Sequence, residues 1–346
     1  MKRSMLDSVI DQWLVVPQVE TANLSGKTVL VVGANVGIGL EASKHFARMR
    51  PARLILACRS EAKGKAALAE IERETVYNGC ELWILDLANF ASVIAFADKF
   101  EKEGGDLHIL VMNAGILQHV YQPTTDGWES ILQVNYLATS LLSLLLIPQL
   151  VAAGRKSSTP SRMVIVSSGV HYWITPTEEV RASSKPLEML GSKEWCTPEH
   201  MQSRFFESML LKVLFVRALT DRLQSITPLS AVAANPGFCY SQLRRFWYEQ
   251  PFSFAKMGLL IRERLLAWTS EQGSRQLICA AVGGRDNEDS VKGGFVNRSR
   301  FVEVADFVLS DGGHKMQDTV WNETIDILKG VSDKIAPIVQ DYLIRP

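Results

Sequence analysis

The sequence predicts an α/β fold in which helices cover both faces of a doubly wound parallel sheet, giving three layers, α/β/α. Short apolar runs alternate with segments of helical periodicity along most of the 346 residues, which is typical of parallel strands joined by crossover helices. A glycine-rich turn stands between the first apolar run and the first helical segment. Since no repeat, low-complexity tract or linker marks a boundary, residues 1–346 are expected to form a single domain.

Strands and helices are expected in regular alternation. The predicted strands are 28–32, 53–57, 81–85, 108–112, 163–166, 230–234 and 294–297. The predicted helices are 36–50, 62–73, 90–103, 126–151, 204–224 and 320–342. The longest apolar run, 137–147, is too short to cross a bilayer, so we expect a buried helix there and no transmembrane segment.

Three segments do not fit this alternation. Residues 1–23 precede the first strand as an N-terminal extension. Residues of about 172–202 are rich in Thr, Ser, Pro and charge, and we expect a long insertion running over the surface. Residues of about 241–268 combine apolar and basic side chains, which favours a substrate lid. A helix that touches a membrane surface, or a partly buried helix of the domain, is the alternative.

Composition excludes several classes of function. The formal net charge is zero, whereas nucleic-acid binding usually needs a basic surface. Five scattered cysteines without a CxxC pair indicate reduced thiols, and the six histidines form no metal-ligand pattern. No secretory signal is recognised at the N-terminus, so a cytoplasmic location is expected.

The strongest motif is the glycine-rich turn Gly33-Ala-Asn35-Val-Gly37-Ile38-Gly39. The first glycine permits the tight turn, the second lets backbone amides approach a pyrophosphate, and the third permits close helix–strand packing. The helix that follows presents its N-terminal amides to the phosphates. This turn in the first βα unit predicts a Rossmann-type dinucleotide site.

The end of the second strand predicts which dinucleotide binds. An NAD site would carry a carboxylate there for the ribose hydroxyl, but the sequence reads Ala57-Cys58-Arg59. Arg59 can pair with a 2′-phosphate, with Lys63 and Lys65 as possible helpers, so NADP(H) is the predicted cofactor. The alternative is that Arg59 is a solvated loop arginine.

From residue 24 to residue 309 the chain resembles the short-chain dehydrogenase/reductase family. The residues that flank its motifs are most similar to those of reductase-like members of fungal natural-product pathways. The resemblance rests on the glycine-rich turn and on further motifs in the family's order. These are Asp86-Leu87, Asn113-Ala114-Gly115, Asn135, Ser167-Ser168 and Asn235-Pro236-Gly237.

The resemblance implies a role for each matching residue. Asp86 would contact the adenine, with Leu87 also in the cofactor site. The cleft and the nicotinamide end would be lined by Asn113, Ala114, Gly115, Pro236, Gly237 and Ser241. Ser168 would hold the substrate oxygen, and Asn135 would fix a helix bend and a water molecule.

The family's Tyr-x-x-x-Lys pair is replaced. Phe205 stands in the tyrosine place and Met209 in the lysine place, and neither side chain can exchange a proton. General acid–base help contributes roughly 10²–10⁴-fold, so ordinary carbonyl reduction should be impaired. Tyr172, close after Ser168, is a candidate proton donor. Lys212 is expected to be a surface or interface lysine, with reach to the cofactor ribose as the alternative, and Glu207 is expected on an outer helix face.

Three functions remain open from the sequence. The first is an NADP(H)-dependent oxidoreductase for a small lipophilic substrate in secondary-metabolite biosynthesis. The second is a non-redox lyase, isomerase or cyclase on the same scaffold. The third is a catalytically weak partner of an active homologue. Homodimers, or heterodimers with a related chain, would pair through two long helices whose apolar faces carry Leu137, Leu141, Leu142, Leu145, Leu210, Leu214 and Phe215.

Overall fold

Eight strands build one sheet in the computed structural model, which describes residues 3–157, 159–223, 227–244, 248, 253–285 and 288–343. The strands are β1 Thr28–Val32, β2 Arg53–Cys58, β3 Cys80–Ile84, β4 Ile109–Met112, β5 Ser161–Val166, β6 Leu229–Ala234, β7 Phe295–Asn297 and β8 Arg300–Val302. Their order is β3-β2-β1-β4-β5-β6-β7-β8. All neighbours pair in parallel except β7 and β8.

Fifteen α-helices accompany the sheet within the described residues. They are α1 Met5–Trp13, α2 Gly37–Arg48, α3 Glu61–Thr75, α4 Phe90–Lys99, α5 Ala138–Leu145, α6 Ile147–Lys156, α7 Glu178–Ala182, α8 Pro186–Gly191, α9 His200–Arg222, α10 Phe254–Leu266, α11 Ser270–Val282, α12 Glu288–Val291, α13 Asp306–Leu309, α14 Asp311–Val331 and α15 Ile335–Tyr342. Parts of the predicted lid, residues 245–247 and 249–252, lie outside the described residues.

The core lies on both faces of the sheet. One cluster fills the space between the sheet and α4, α5, α9 and α14. A second cluster fills the opposite face, against α2, α3 and α11. All residues of β1, β4, β5 and β6 are buried, because helices cover both sides of the central strands. The predicted three-layer α/β/α Rossmann-type fold is therefore confirmed.

Strand β8 departs from the purely parallel sheet that the sequence predicts. It runs antiparallel to β7 after a two-residue turn in which Arg298 and Ser299 have φ of 53° and 54°. Such turns usually carry Asn or Gly at these places. Because an Arg-Ser pair gives no sequence signal of a hairpin, β8 is not among the strands that the sequence predicts.

The helix expected at 126–151 is divided. A π-helical turn, Leu132–Leu137, precedes α5, and α5 and α6 meet at a break after Leu145. Residues 137–147 are all buried, as expected for a core helix. Among the described residues, no unbroken helix has the length and apolar character of a membrane span; only the pair Leu132–Leu145 and Ile147–Lys156, bent by 46°, meets those two criteria.

The insertion at 172–202 packs against the domain, which corrects the expected surface excursion. Val180, Leu187 and Leu190 are at most 1% exposed and belong to the main core. The carboxylate of Glu323 on α14 accepts hydrogen bonds from the amides of Leu187 and Glu188, at 2.7 and 2.8 Å. The segment contains two short amphipathic helices, α7 and α8, whose apolar residues are too few to stand out in its polar composition.

The helix faces predicted to pair with a second subunit are covered by the chain's own C-terminal helices. The seven apolar residues named for pairing are at most 5% exposed. Phe215 stacks on Trp321 of α14 with ring centroids 5.8 Å apart, and the Tyr136 hydroxyl lies 2.8 Å from that of Thr324. This surface is an intramolecular core, so the predicted pairing through it is wrong.

Candidate cofactor and catalytic site

The glycine-rich turn has the geometry that a dinucleotide requires. Gly33 has φ of 83°, and a Cβ there would lie 2.8 Å from Cα of Ala114. A Cβ on Gly39 would overlap the carbonyl oxygen of Gly33. Gly37, with φ of 60°, has only the Ser270 hydroxyl near its Cβ position, at 3.8 Å. Two glycines therefore permit close packing, and Gly37 leaves open space in front of the turn.

That open space faces the N-terminus of α2. Val36 is the N-cap residue and provides no side-chain hydrogen bond, so the first amides of the helix keep their donors for an anion. A cleft of about 490 Å³ lies here, lined in part by Gly37, Ser241 and Ser270. Asn35 is half-buried in the same turn, and Ile38 packs against Val16, Cys239 and Trp268.

The adenosine end carries an exposed arginine. Arg59 lies directly after β2 and is exposed. Lys65 already pairs with Glu61 at 2.7 Å, which leaves Arg59 better placed for an added phosphate. Asp86 fixes its own loop by accepting a hydrogen bond from the Ala88 amide at 2.9 Å, and Leu87 is buried.

Strand β4 is tied to the glycine-rich turn at its carboxyl end. The side-chain amide of Asn113 donates to the Gly33 carbonyl at 2.9 Å. The backbone amides of Asn113 and Ala114 both donate to the Val32 carbonyl, at 3.1 and 2.9 Å. Gly115 follows, and a Cβ there would lie 3.3 Å from Oδ1 of Asn135. The three residues therefore lie between the glycine-rich turn and Asn135.

Asn135 lies in the π-helical turn, at the position where a helix bend is expected. Its Oδ1 accepts from the Ile116 amide at 2.8 Å. Its Nδ2 donates to the Ile116 carbonyl at 3.0 Å and to the Ser208 hydroxyl at 3.1 Å. The side chain is fully buried, so it holds the loop after β4 to α9.

Ser168 is held from both sides at the end of β5. Its Oγ accepts from the Val170 amide at 3.3 Å, and its carbonyl lies 2.8 Å from Nδ1 of His171. Burial lowers the pKa of His171 to about 4, so the ring is neutral. Because its Nε2 accepts from the Ala305 amide at 3.4 Å, the proton is on Nδ1 and is donated to Ser168.

Phe205 and Met209, which the sequence predicts to replace the family's tyrosine and lysine, form an apolar wall. Met209 is 3% exposed and Phe205 is half-buried. Phe205 contacts Phe206 edge-on with centroids 6.4 Å apart, and Phe206 lies 6.5 Å from Trp173. The Ser167 hydroxyl donates to the Met209 carbonyl at 2.8 Å. The wall is thus fixed to β5 through the backbone, while its side chains offer no proton.

Tyr172 is committed to another partner. Its hydroxyl donates to the Glu303 carbonyl at 2.5 Å, and its ring lies edge-on to Phe295 with centroids 5.9 Å apart. Burial raises the pKa of the phenol. This arrangement directs the hydroxyl proton toward the segment after β8.

Lys212 is almost completely buried, at 2% exposure, so a surface or interface lysine is the wrong interpretation. Its ammonium donates to the Val166 carbonyl at 3.0 Å. If the β4–β5 ladder continued by one more hydrogen bond, the Ala114 amide would donate to the Val166 carbonyl. It donates to the Val32 carbonyl instead. Burial alone lowers the pKa of Lys212 to about 7. The amine therefore satisfies the last carbonyl of β5, two residues before Ser168.

Glu207 also lies inside the protein, which corrects the expected outer position. It is 6% exposed, and its carboxylate lies 3.1 Å from the buried guanidinium of Arg204. Glu129 lies 3.7 Å from the same guanidinium. Burial raises the pKa of both carboxyls. These residues anchor α9 beside Phe205.

The N-terminal helix packs against the turn after β6, where the nicotinamide is expected, a contact that sequence reasoning missed. Asn235 Oδ1 accepts from the amide of Gly237, at 3.1 Å, in the Pro236–Gly237 turn. Gln12 of α1 then brackets Phe238, accepting from its amide at 3.1 Å and donating to its carbonyl at 2.9 Å. The capping box of Ser4 and Asp7 could have revealed the helix.

Comparison with known proteins gives a consistent result. The family described as short chain dehydrogenase matches residues 27–185. Short chain dehydrogenase sol3 of Alternaria solani is 38% identical over 77% of this chain and 88% of its own length. Short-chain dehydrogenase/reductase dmxR8 of Cryptosporiopsis sp. (strain 8999) is 33% identical over 90% of this chain and 93% of its own. A crystal structure of an uncharacterised Mycobacterium paratuberculosis protein superposes with a TM-score of 0.64, at 26% identity, covering 90% of this chain and 98% of that one.

Proposed function

Because this chain belongs to the short-chain dehydrogenase/reductase family, we propose that it is an NADP(H)-dependent oxidoreductase for a small lipophilic substrate in secondary-metabolite biosynthesis. The observation that carries the proposal is the uncapped, glycine-rich turn at the start of α2, with the exposed Arg59 at the end of β2. The fungal relatives sol3 and dmxR8 support the pathway context.

The described residues fit NADP(H). Gly37 leaves room for a pyrophosphate against the first amides of α2. Arg59 offers planar donors for a 2′-phosphate, whereas the end of β2, Ala57-Cys58-Arg59, carries no carboxylate to receive a ribose hydroxyl. The bound nicotinamide would supply or accept the hydride. Asn113, Pro236 and Gly237 would border it at the carboxyl ends of β4 and β6.

The substrate side favours an apolar molecule. Phe205, Phe206 and Trp173 contribute aromatic surface, and the buried Trp173 indole N–H has no partner among the described residues. Ser168 accepts a hydrogen bond from Val170 and keeps its own hydroxyl proton, which can be donated to a substrate oxygen. Since Phe205 cannot exchange a proton and Tyr172 is bound to Glu303, we propose that water supplies the proton.

Neither alternative function is favoured. The family and the relatives reported above are described as dehydrogenases or reductases, and none of them is described as a lyase, isomerase or cyclase. A weak partner subunit would pair through the apolar faces of α5 and α9, but α14 and α15 occupy those faces.

Calorimetric titration of NADPH and NADH tests the cofactor assignment. Arg59→Ala should weaken NADPH binding by roughly 10- to 100-fold, since hydrogen bonds to charged groups contribute about 1.5–3 kcal/mol, and should leave NADH binding unchanged. Arg73→Ala, which removes an exposed arginine at the opposite end of α3, is the matched control and should bind NADPH like the unaltered protein. Equal loss of both nucleotides in Arg59→Ala, or no loss of either, would refute the 2′-phosphate contact.

Hydride transfer is tested separately. The purified chain is incubated with NADPH and a series of ketones of increasing apolar area, and oxidation of the nucleotide is followed optically. We expect turnover that rises along the series and is abolished by Ser168→Ala. Tight NADPH binding without turnover of any carbonyl substrate would contradict the oxidoreductase assignment.

A further inference from the structure

Helix α1 is oriented with its polar side inward. Its buried residue is Asp11, whereas Met5, Leu6, Ile10 and Trp13 are 66%, 67%, 46% and 69% exposed. These four apolar residues lie on one face, since they follow helical spacing. A helix that packs onto a soluble domain normally turns such a stripe toward the core.

Specific contacts fix this orientation. The Asp11 carboxylate accepts hydrogen bonds from Arg3 and, at 3.3 Å, from Arg298. Gln12 donates to the carbonyls of Phe238 and Leu266, both at 2.9 Å. These contacts with Arg3, Phe238, Leu266 and Arg298 hold the polar side of α1 against the domain. The apolar stripe is therefore fixed in its outward orientation.

Helix α10 repeats the same arrangement. Glu263 is 2% exposed and accepts from Arg244 and from the Tyr248 hydroxyl, both at 2.6 Å. The exposed side of the helix carries a second apolar stripe with helical spacing, whose members are 39%, 45%, 52% and 66% exposed: Met257, Leu260, Ile261 and Leu265.

The two stripes lie on helices that are joined near their C-terminal ends, and together they are named the apolar outer face, which consists of Met5, Leu6, Ile10, Trp13, Met257, Leu260, Ile261 and Leu265. The helices are joined where Gln12 bonds the carbonyl of Leu266 and accepts at its own carbonyl from the Trp268 indole at 2.9 Å. Leu260 also lines the cleft at the glycine-rich turn. The exposed arginines Arg262 and Arg264 lie on the same helix.

We propose that the apolar outer face rests on a lipid bilayer with anionic headgroups. Contiguous apolar surface of this kind marks an interaction site. Apolar side chains with an exposed tryptophan and neighbouring arginines are the chemistry that partitions into the interface of an anionic membrane. Since Leu260 borders the cleft, a lipophilic substrate dissolved in the bilayer would reach the cleft without crossing water. That last step rests on the proposed function, whereas the lipid contact does not.

The test is flotation of the full-length chain with vesicles of phosphatidylcholine alone or mixed with phosphatidylserine, which requires no activity. We expect binding to the mixed vesicles, loss of at least tenfold in affinity in the variant Ile10→Gln/Trp13→Gln/Ile261→Gln/Leu265→Gln, and about fivefold loss for Arg264→Gln. The matched control Val76→Gln/Ile84→Gln/Val120→Gln/Leu309→Gln also removes four exposed apolar residues, elsewhere on the surface, and should bind like the unaltered protein.

Each other outcome overturns the proposal. Absence of flotation with both vesicle types would exclude a lipid surface. Equal loss in the control variant would show nonspecific adsorption. Light scattering that finds a dimer which the fourfold variant dissociates, without vesicle binding, would assign the face to a second copy of the chain. The fourfold variant is checked for folding by its circular dichroism spectrum, which does not depend on NADPH, so that loss of vesicle binding is separated both from unfolding and from failure of the proposed function.

Discussion

Replacement of Lys212 by methionine should stabilise the protein at neutral and acidic pH. The ammonium is 2% exposed, its hydrogen-bond partner is the Val166 carbonyl, and desolvation is the cause of its lowered pKa. Methionine has a similar length and needs no solvation. The substitution therefore exchanges a buried charge for an apolar group that fits the same space.

The size of the effect follows from the pKa. The folded-state value is about 7, against 10.5 as the ordinary value. Each pKa unit corresponds to about 1.4 kcal/mol, so the charged amine costs about 5 kcal/mol of folding free energy. The lost hydrogen bond and imperfect packing offset part of this, by roughly 1–2 kcal/mol. We expect Lys212→Met to be about 3 kcal/mol more stable than the unaltered protein at pH 6.

The stability difference between Lys212→Met and the unaltered protein should depend on pH. Below pH 7 the amine is charged in both states, and the folded protein bears the full penalty. Between pH 7 and pH 10.5 the unfolded chain holds a proton that the folded chain has released, so the stability of the unaltered protein rises with pH. The advantage of Lys212→Met should therefore shrink by about 1.4 kcal/mol per pH unit across that window.

Urea denaturation of both proteins at intervals from pH 6 to pH 10 measures this difference. Lys44→Met is the matched control, since Lys44 is also buried, at 4% exposure, but pairs with Glu41, Glu70 and Glu74 at 2.6–3.0 Å. These carboxylates raise its pKa, so its replacement should destabilise the protein. A Lys212→Met variant that is less stable by the same amount at every pH would refute the reasoning.

Three further outcomes are expected. The pKa of His171 falls from 6.5 to about 4 on folding, so the unfolded chain takes up the proton first as the pH is lowered. The free energy of unfolding should therefore drop by up to about 3 kcal/mol between pH 6.5 and pH 4. His171→Gln should lack this drop in denaturant titrations. Phe205→Tyr/Met209→Lys should raise the rate of carbonyl reduction by about 10²-fold or more in steady-state assays, and no gain would show that these places do not face the substrate. Gly39→Ala should abolish NADPH binding in calorimetry because its Cβ overlaps the Gly33 carbonyl, whereas Gly258→Ala in open space should raise Tm slightly.

The sequence predicted the elements whose local pattern is unambiguous. Strands β1, β4, β5, β6 and β7 are buried throughout, and the glycine-rich turn has a steric requirement that few other residues can meet. The assignment of Phe205 and Met209 to the tyrosine and lysine places of the family motif stays a prediction from the sequence. These signals depend on residues close together in the chain.

Features that depend on distant parts of the chain were not predictable. Helix α9 is buried almost all round, so helical periodicity could not show that Lys212 and Glu207 point inward. The Val166 carbonyl beside Lys212, and Glu129 beside Arg204, become neighbours only through the packing of distant segments. The role of α1 depends on a bond from Gln12 to a loop 226 residues away.

The C-terminal helices over α5 and α9 change how this site depends on protein concentration. Where such a helix face is buried against another subunit, mass action makes the stability of the site fall on dilution. Here Trp321 and Thr324 supply those contacts within one chain. The packing around Tyr136 and Phe215 therefore belongs to a single chain, and dilution of the protein should not weaken these contacts.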